Sequence, residues 1–373
     1  MKNILVIDDS ALMRRVLFDI INADENLRAQ HYATNGIEAL EILESDVEFS
    51  AIVLDINMPK MNGIEFLREL KKRGRKENVL IVSTLAKEGA KETIQALELG
   101  AFDFVMKPDS LAEAKGASFT NRLISMLYTA TGLSDSVSDD EMPKKAERTK
   151  KAVRKHDAVP SMPKTRTKVF KQARKSTGRG AGKLVALACS TGGPKSLQYV
   201  IPFLPANLDA AVLLVQHMPE GFTASLSKRL DELSRVTVKE AANGDELSKG
   251  TVYLAKGGSQ MRLLEKPGKG HSISVTEEAA RNGLKPCADI MYESLMGSSF
   301  DEIVCVVMTG MGADGTKGIL QLKQTNNIYV IAQDAPSCTV YGMPKAIADA
   351  GVVDEVVTLK GIADAITKHV GVR

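Results

Sequence analysis

Two separate series of short, almost unbroken apolar runs limit what this chain can fold into. In the first series ILVI, AIVLDI, VLIVST and FDFVMK are separated by helical patterns: a segment opening at Ser10, then GIEALEILES, GIEFLRELKKR and AKETIQALELG. In the second, KLVALACS, AAVLLVQH, EIVCVVMTG and IYVIAQD alternate with PKSLQYVIPFL and FTASLSKRLDEL. Strands that are apolar on both faces need helices on both sides of their sheet. Each series therefore predicts a doubly wound, mostly parallel α/β layer. TVYLAKGG and GHSISVTE read as an antiparallel excursion from the second layer. Open sheets of this kind bind ligands beyond the carboxyl ends of their strands, where the strand order switches. The polar residues that end these runs are the ones to inspect.

At 373 residues the chain suits two domains rather than one. What separates them is charge. From Lys144 to Arg179, fourteen Lys and Arg face two acids, Glu147 and Asp157. Of the chain's 49 basic and 46 acidic residues, 35 and 44 then lie elsewhere, so a basic segment joins two mildly acidic bodies. The expected organisation is a first domain over 1–133, a flexible basic linker over 134–182 and a second domain over 183–373. Phe170 is the only aromatic residue in the basic segment, and the chain has no Trp. A stacking platform for nucleic acid is not expected. No apolar run nears the roughly 18 residues of a membrane helix, so no membrane insertion is expected either. Cys189, Cys287, Cys305 and Cys338 form no C-x-x-C pair, which predicts a reducing, cytoplasmic setting.

Five polar residues close the runs of the first domain: Asp8 and Asp9, Asp55, Ser83 and Lys107. Three carboxylates in one crevice repel each other unless a hard cation neutralises them, and Mg²⁺ is the natural choice. A carboxylate beside such a cation and a lysine can accept a phosphoryl group. With the KP and MPKMNG sequences, residues 1–133 resemble a response-regulator receiver domain, a flavodoxin-like five-stranded parallel sheet. The resemblance implies Asp55 as phosphoacceptor, with Asp8, Asp9 and the Asn57 carbonyl completing the Mg²⁺ site. It also implies Ser83 as switch hydroxyl, Lys107 as phosphate-binding lysine and Phe104 as aromatic switch.

In the second domain, ALACSTGGPKSL breaks from apolar residues to glycines at Ser190. It fits neither G-x-x-x-x-G-K-[ST] nor G-x-G-x-x-G, so it is not a phosphate loop. Ala188-Cys189-Ser190-Thr191-Gly192 instead has the small-x-Ser-x-Gly form of a nucleophile elbow, and a helix from Pro194 would aim its positive end at the serine. A serine nucleophile needs a base. His217 ends AAVLLVQH on the same sheet edge, whereas His271 falls in an expected hairpin and His369 in the terminal helix. Asp314 in MTGMGADG and Asp334 in VIAQDAPS both qualify as the carboxylate that orients the imidazole, and spacing does not choose between them. Side chains alternate along a strand, so Cys189 should point away from Ser190.

The motifs ACSTGGP, VQHMPEGFT, LAKGG, MTGMGADG and AQDAPSCTVYGMP make residues 183–373 similar to the catalytic domain of the chemotaxis protein-glutamate methylesterases, which also deamidate glutamine. A receiver placed first reproduces that family's architecture. The resemblance implies a Ser190–His217–Asp314 triad without a cofactor, and the Thr191 and Met311 amides as oxyanion donors. It further implies methyl-accepting chemotaxis receptors as substrate and a histidine kinase as phosphodonor. Cys189 departs from the Ala usual in that family.

Overall fold

The computed structural model describes residues 1–84, 87–108, 110–114, 116–133, 182–266 and 270–373. The expected linker, 134–182, lies outside these apart from its last residue. Five strands form the first sheet: β1 (Lys2–Ile7), β2 (Leu27–Ala33), β3 (Ala51–Asp55), β4 (Asn78–Ser83) and β5 (Asp103–Met106). All neighbours pair in parallel, in the order β2-β1-β3-β4-β5. The chain leaves β1 toward one edge and returns to β3 on the other side. The switch point thus falls between the ends of β1 and β3, where Asp8, Asp9 and Asp55 stand.

The helices of this unit start where short polar side chains can satisfy their first N–H groups. The Ser10 hydroxyl accepts from the Met13 amide at 3.3 Å to open Ala11–Asn22. Asn62 and Glu65 form a reciprocal capping box ahead of Gly63–Lys72. β2 has no counterpart among the apolar runs of the sequence. It is an edge strand with only Leu27, Ala29 and Ala33 buried.

The second sheet has seven strands: β6 (Lys183–Cys189), β7 (Ala210–Gln216), β8 (Thr237–Glu240), β9 (Thr251–Leu254), β12 (Glu302–Val307), β13 (Ile328–Gln333) and β14 (Glu355–Val357), with β10 (Gln260–Lys266) and β11 (Gly270–Thr276) forming a separate hairpin. The order β14-β13-β12-β6-β7-β9-β8 is parallel throughout. TVYL is therefore not antiparallel. As β9 it pairs in parallel with β7 and β8, and GHSISVT takes QMRLLEK as its antiparallel partner instead. The chain runs from β6 outward through β7 to β8 and β9, then crosses to β12 on the opposite flank, so the switch point lies at the end of β6.

The two units touch. The helix Lys87–Leu99 packs against Phe222–Leu233 of the second unit, and Arg229 pairs with Glu98 at 2.6 Å. The Phe104 and Phe222 rings stack with centroids 4.7 Å apart, making the apolar packing continuous across the junction. Among the described residues no helix is long and apolar enough to cross a membrane.

The end of β3 depends on one close approach. The Gly63 amide donates to the Ile56 carbonyl at 2.8 Å, and a Cβ at position 63 would lie 2.5 Å from the Asp55 carbonyl oxygen. Gly63→Ala is expected to lower stability by about 1–3 kcal/mol in urea unfolding, as overpacking does. An unchanged midpoint would contradict this reading of the packing.

Candidate active site

In the first unit, buried Asp8 and Asp55 both reach Lys107. Its ammonium lies 2.9 Å from Asp8 Oδ2 and 2.8 Å from Asp55 Oδ2. The other oxygens take amides: Asp8 Oδ1 accepts from Ser10 at 2.8 Å and Asp55 Oδ1 from Ile56 at 2.9 Å. Burial pushes the Asp55 carboxyl up, and Lys107 only partly offsets it. Burial would lower the Lys107 ammonium, but Asp55 and Asp8 together carry it above its ordinary value. Oxygens of Asp8, Asp9 and Asp55 lie within 4.8 Å of one another. An all-carboxylate donor set this compact fits a hard divalent cation such as Mg²⁺. Asn57 follows β3 by two residues on the same rim.

Ser83 and Phe104 are turned to other partners. The Ser83 hydroxyl accepts from Thr93 Oγ1 at 2.6 Å and donates to the Gly89 carbonyl at 3.4 Å. Phe104 is committed to its stack on Phe222.

In the second unit the end of β6 supplies Ser190 and the end of β7 supplies His217. Cys189 is paired with Gln216 in register, so Ser190 and His217 are the next residues of adjacent strands, and the His217 amide donates to the Cys189 carbonyl at 3.2 Å. Neighbouring strands run about 4.8 Å apart, within side-chain reach. The Ser190 amide donates to the Thr309 carbonyl beyond β12 at 2.9 Å, closing the turn from the other flank. The helix expected from Pro194 is only Gly193–Leu197, too short for a useful dipole. Ser190 is 7% exposed, and its hydroxyl makes no hydrogen bond among the described residues.

His217 Nε2 lies 2.8 Å from Asp314 Oδ2. Asp314 also accepts from the Ala288 amide at 2.6 Å, the Asp289 amide at 3.0 Å and the Cys287 thiol at 3.1 Å. Burial alone would raise this carboxyl, but the imidazole and the two amides bring it down to about 2. Asp314 is thus ionised at any working pH and accepts only, so the neutral form of His217 carries its proton on Nε2, toward Asp314, and its lone pair on Nδ1. Asp334, the other acid the sequence left open, bonds to Ser337 instead. The Thr191 and Met311 amides have no acceptor among the described residues.

Cys189 points away from Ser190, as strand alternation requires. Its thiol is wholly buried, donates to Gln216 Oε1 at 3.0 Å, and burial pushes it far above its ordinary value. It is no nucleophile. Spacing gave no warning of the groups that hold the site together: Thr309, Gln216 and the helix start at Ala288.

A cavity of about 980 Å³ opens beside His217 at the junction of the units. Met218, Pro219 and Pro286 line it from one side, and Lys107, Phe119 and Arg122 from the other. The Met311 thioether reaches across to the hydroxyls of Ser125, at 3.6 Å, and Thr129, at 3.5 Å. Asp103 is buried at this junction. Burial raises its carboxyl, while Arg122, the Phe104 amide and the neighbouring Thr191 hydroxyl pull it down.

Comparison with known proteins agrees with both halves. Residues 4–117 match the response regulator receiver domain family and residues 185–366 match the CheB methylesterase family. The protein-glutamate methylesterase/protein-glutamine glutaminase of Symbiobacterium thermophilum is 38% identical over 99% of this chain and 97% of its own. That of Bacillus subtilis is 38% identical over 99% of each chain. The crystal structure of the Thermotoga maritima CheB methylesterase catalytic domain is 39% identical, covering 51% of this chain and 99% of that one, with a TM-score of 0.49. On 38% identity along nearly the full length of such relatives, the chain belongs to the protein-glutamate methylesterase/protein-glutamine glutaminase family, with a response-regulator receiver at its N-terminus.

Proposed function

We propose that residues 183–373 hydrolyse glutamyl methyl esters, and deamidate glutamines, on methyl-accepting chemotaxis receptors through Ser190, His217 and Asp314. The observation that carries this reading is the 2.8 Å bond from His217 Nε2 to an ionised Asp314, made by a histidine next in register to Ser190. His217 Nδ1 removes the Ser190 proton as Oγ attacks the ester carbonyl. The oxyanion rests on the free amides of Thr191 and Met311, contacts worth several kcal/mol at such a transition state. His217 then returns the proton to the departing methoxide, releasing methanol. Water, deprotonated by the same nitrogen, frees the glutamate and restores Ser190. From a glutamine the leaving group is ammonia. Asp314 holds the tautomer and balances the imidazolium.

Residues 1–133 act as the switch and 134–182 as the connector, in a cytoplasmic protein served by a chemotaxis histidine kinase. Asp55 receives the phosphoryl group and Lys107 neutralises part of its charge. Asp8, Asp9, Asp55 and the Asn57 carbonyl would hold Mg²⁺, which would supply the remaining charge neutralisation. In the unphosphorylated protein the receiver covers the catalytic rim through the junction of the two units. Phe104 is locked on Phe222, and Met311, bearer of an oxyanion amide, is pinned to Ser125 and Thr129. Phosphorylation at Asp55 shifts the population away from it.

Methanol release from methyl-labelled receptor membranes is expected to vanish in Ser190→Ala, and retention of appreciable turnover would remove the serine mechanism. With acetyl phosphate and Mg²⁺ the rate should rise in the natural chain and stay flat in Asp55→Asn or with chelator. An equal rise in Asp55→Asn would remove the switch assignment. Asp314 also titrates below its ordinary 3.8 in the folded chain. Its contribution to stability is present above that value and lost as pH falls toward about 2. The urea-midpoint deficit of Asp314→Asn should therefore shrink between pH 5 and pH 2.5, whereas a constant deficit would mean the carboxylate charge contributes nothing.

A further inference from the structure

Gln216 is a buried polar side chain, 2% exposed, for which the reaction above has no use. It occupies the last position of β7, paired in register with Cys189. Its Nε2 donates to the Ser190 carbonyl at 3.0 Å and to the His217 carbonyl at 3.1 Å. Its Oε1 accepts from the Cys189 thiol at 3.0 Å. One amide thus ties together the backbone of the serine and of the histidine, just past the point where the β6–β7 ladder ends. The opposite amide orientation would set an oxygen against two carbonyls, so the partners fix the assignment.

The fit is close on every side. A Cβ at Gly193 would lie 2.0 Å from Gln216 Oε1, so the turn after Ser190 is folded directly onto the amide. The Ser190 carbonyl also accepts from the Gly193 amide at 2.7 Å. Both Nε2 protons are used, and neither carbonyl can shift without breaking one bond and straining the other.

We propose that Gln216 is a positioning residue that sets the separation and relative orientation of Ser190 and His217, with the Cys189 thiol fixing the amide in turn. This rests on the serine mechanism above, and deepens it. No other side chain among the described residues donates to both carbonyls. Gln216→Met keeps length and volume but removes both donors. Gln216→Glu keeps shape and places a carboxylate against two carbonyl oxygens. In that setting the acid binds its proton more tightly than an exposed glutamate does. Once protonated, it can donate to one of the two carbonyls.

The test is steady-state methanol release from methyl-labelled receptor membranes by the full-length protein, with Ser190→Ala in parallel. Gln216→Met is expected to lower kcat about 10- to 100-fold, the usual effect of misplacing reacting groups by an ångström. KM should change less than about threefold, because the strut does not face the receptor. For Gln216→Glu, the rate relative to the natural chain should climb as pH falls from 8 to 6. Rates are scaled to the folded fraction measured by circular dichroism at each pH, so that global destabilisation by the buried carboxylate does not contribute to the climb. Gln216→Met at natural kcat, or a flat Gln216→Glu ratio, overturns the proposal. If Gln216→Met fails to fold, the Gln216→Glu ratio decides alone. Turnover by Ser190→Ala would instead refute the underlying serine mechanism, and the two failures are distinct.

Discussion

The structure depends most on the parallel pairing of β6 with its two neighbours. Cys189 faces Gln216 on β7, and Ala188 faces Val307 on β12. That register delivers Ser190, His217 and the Thr309 loop to one rim. The pleat makes the arrangement unforgiving, because a shift of one residue sends every side chain to the opposite face. A slip of β6 by one place would either put Ser190 where Cys189 is buried, with Thr191 at the rim, or carry Cys189 to the rim and Ser190 past it. The long apolar runs of β6 and β7, buried along nearly their whole length, hold the register.

Two buried aspartates show how surroundings set their chemistry. Asp314 meets an imidazole, two amides at a helix start and a thiol, and these donors outweigh the cost of burial. Asp55 meets one lysine, shared with Asp8, and one amide, so burial prevails. The first carboxylate is a permanent anion suited to holding a histidine. The second is under-compensated, so a cation placed beside it would relieve the cost of its burial. Asp289 mirrors Asp314: its Oδ1 accepts from the Gly315 amide at 3.0 Å and the Gly318 amide at 2.7 Å, while Asp314 accepts from the start of Asp289's own helix. Each acid caps the other's helix, and the loop carrying Asp314 is held from both sides.

Much of this was legible in the sequence because central strands are apolar on both faces and end in polar residues. β1, β3, β4, β5, β6, β7, β12 and β13 all follow runs visible by eye. The edge strands β2, β8 and β14 were not, since few of their residues are buried. β9 was misread as antiparallel because a four-residue run carries no sign of its partner. Spacing placed Ser190 and His217 on one rim but left Asp314 and Asp334 equal. The deciding contacts come from a helix start about 26 residues away in sequence, which no local pattern encodes. Gln216 was hidden for the same reason, its partners being backbone atoms across a strand pair.

At the junction an aromatic stack, a half-buried ion pair and a methionine set between two hydroxyls join the units, and Phe104 also lines the cavity at His217. The Arg229–Glu98 pair is partly buried and bidentate, at 2.6 and 3.3 Å, and it holds the junction together with the apolar contact at Phe104. The central claim is the convergence of Ser190 with a base on that rim. Its most direct test is mass-spectrometric mapping of the adduct left by a fluorophosphonate on the full-length protein. The account requires a single adduct, on Ser190, forming faster with acetyl phosphate and Mg²⁺ and lost in His217→Ala. An adduct on another residue, or Ser190 labelling indifferent to His217, would contradict it.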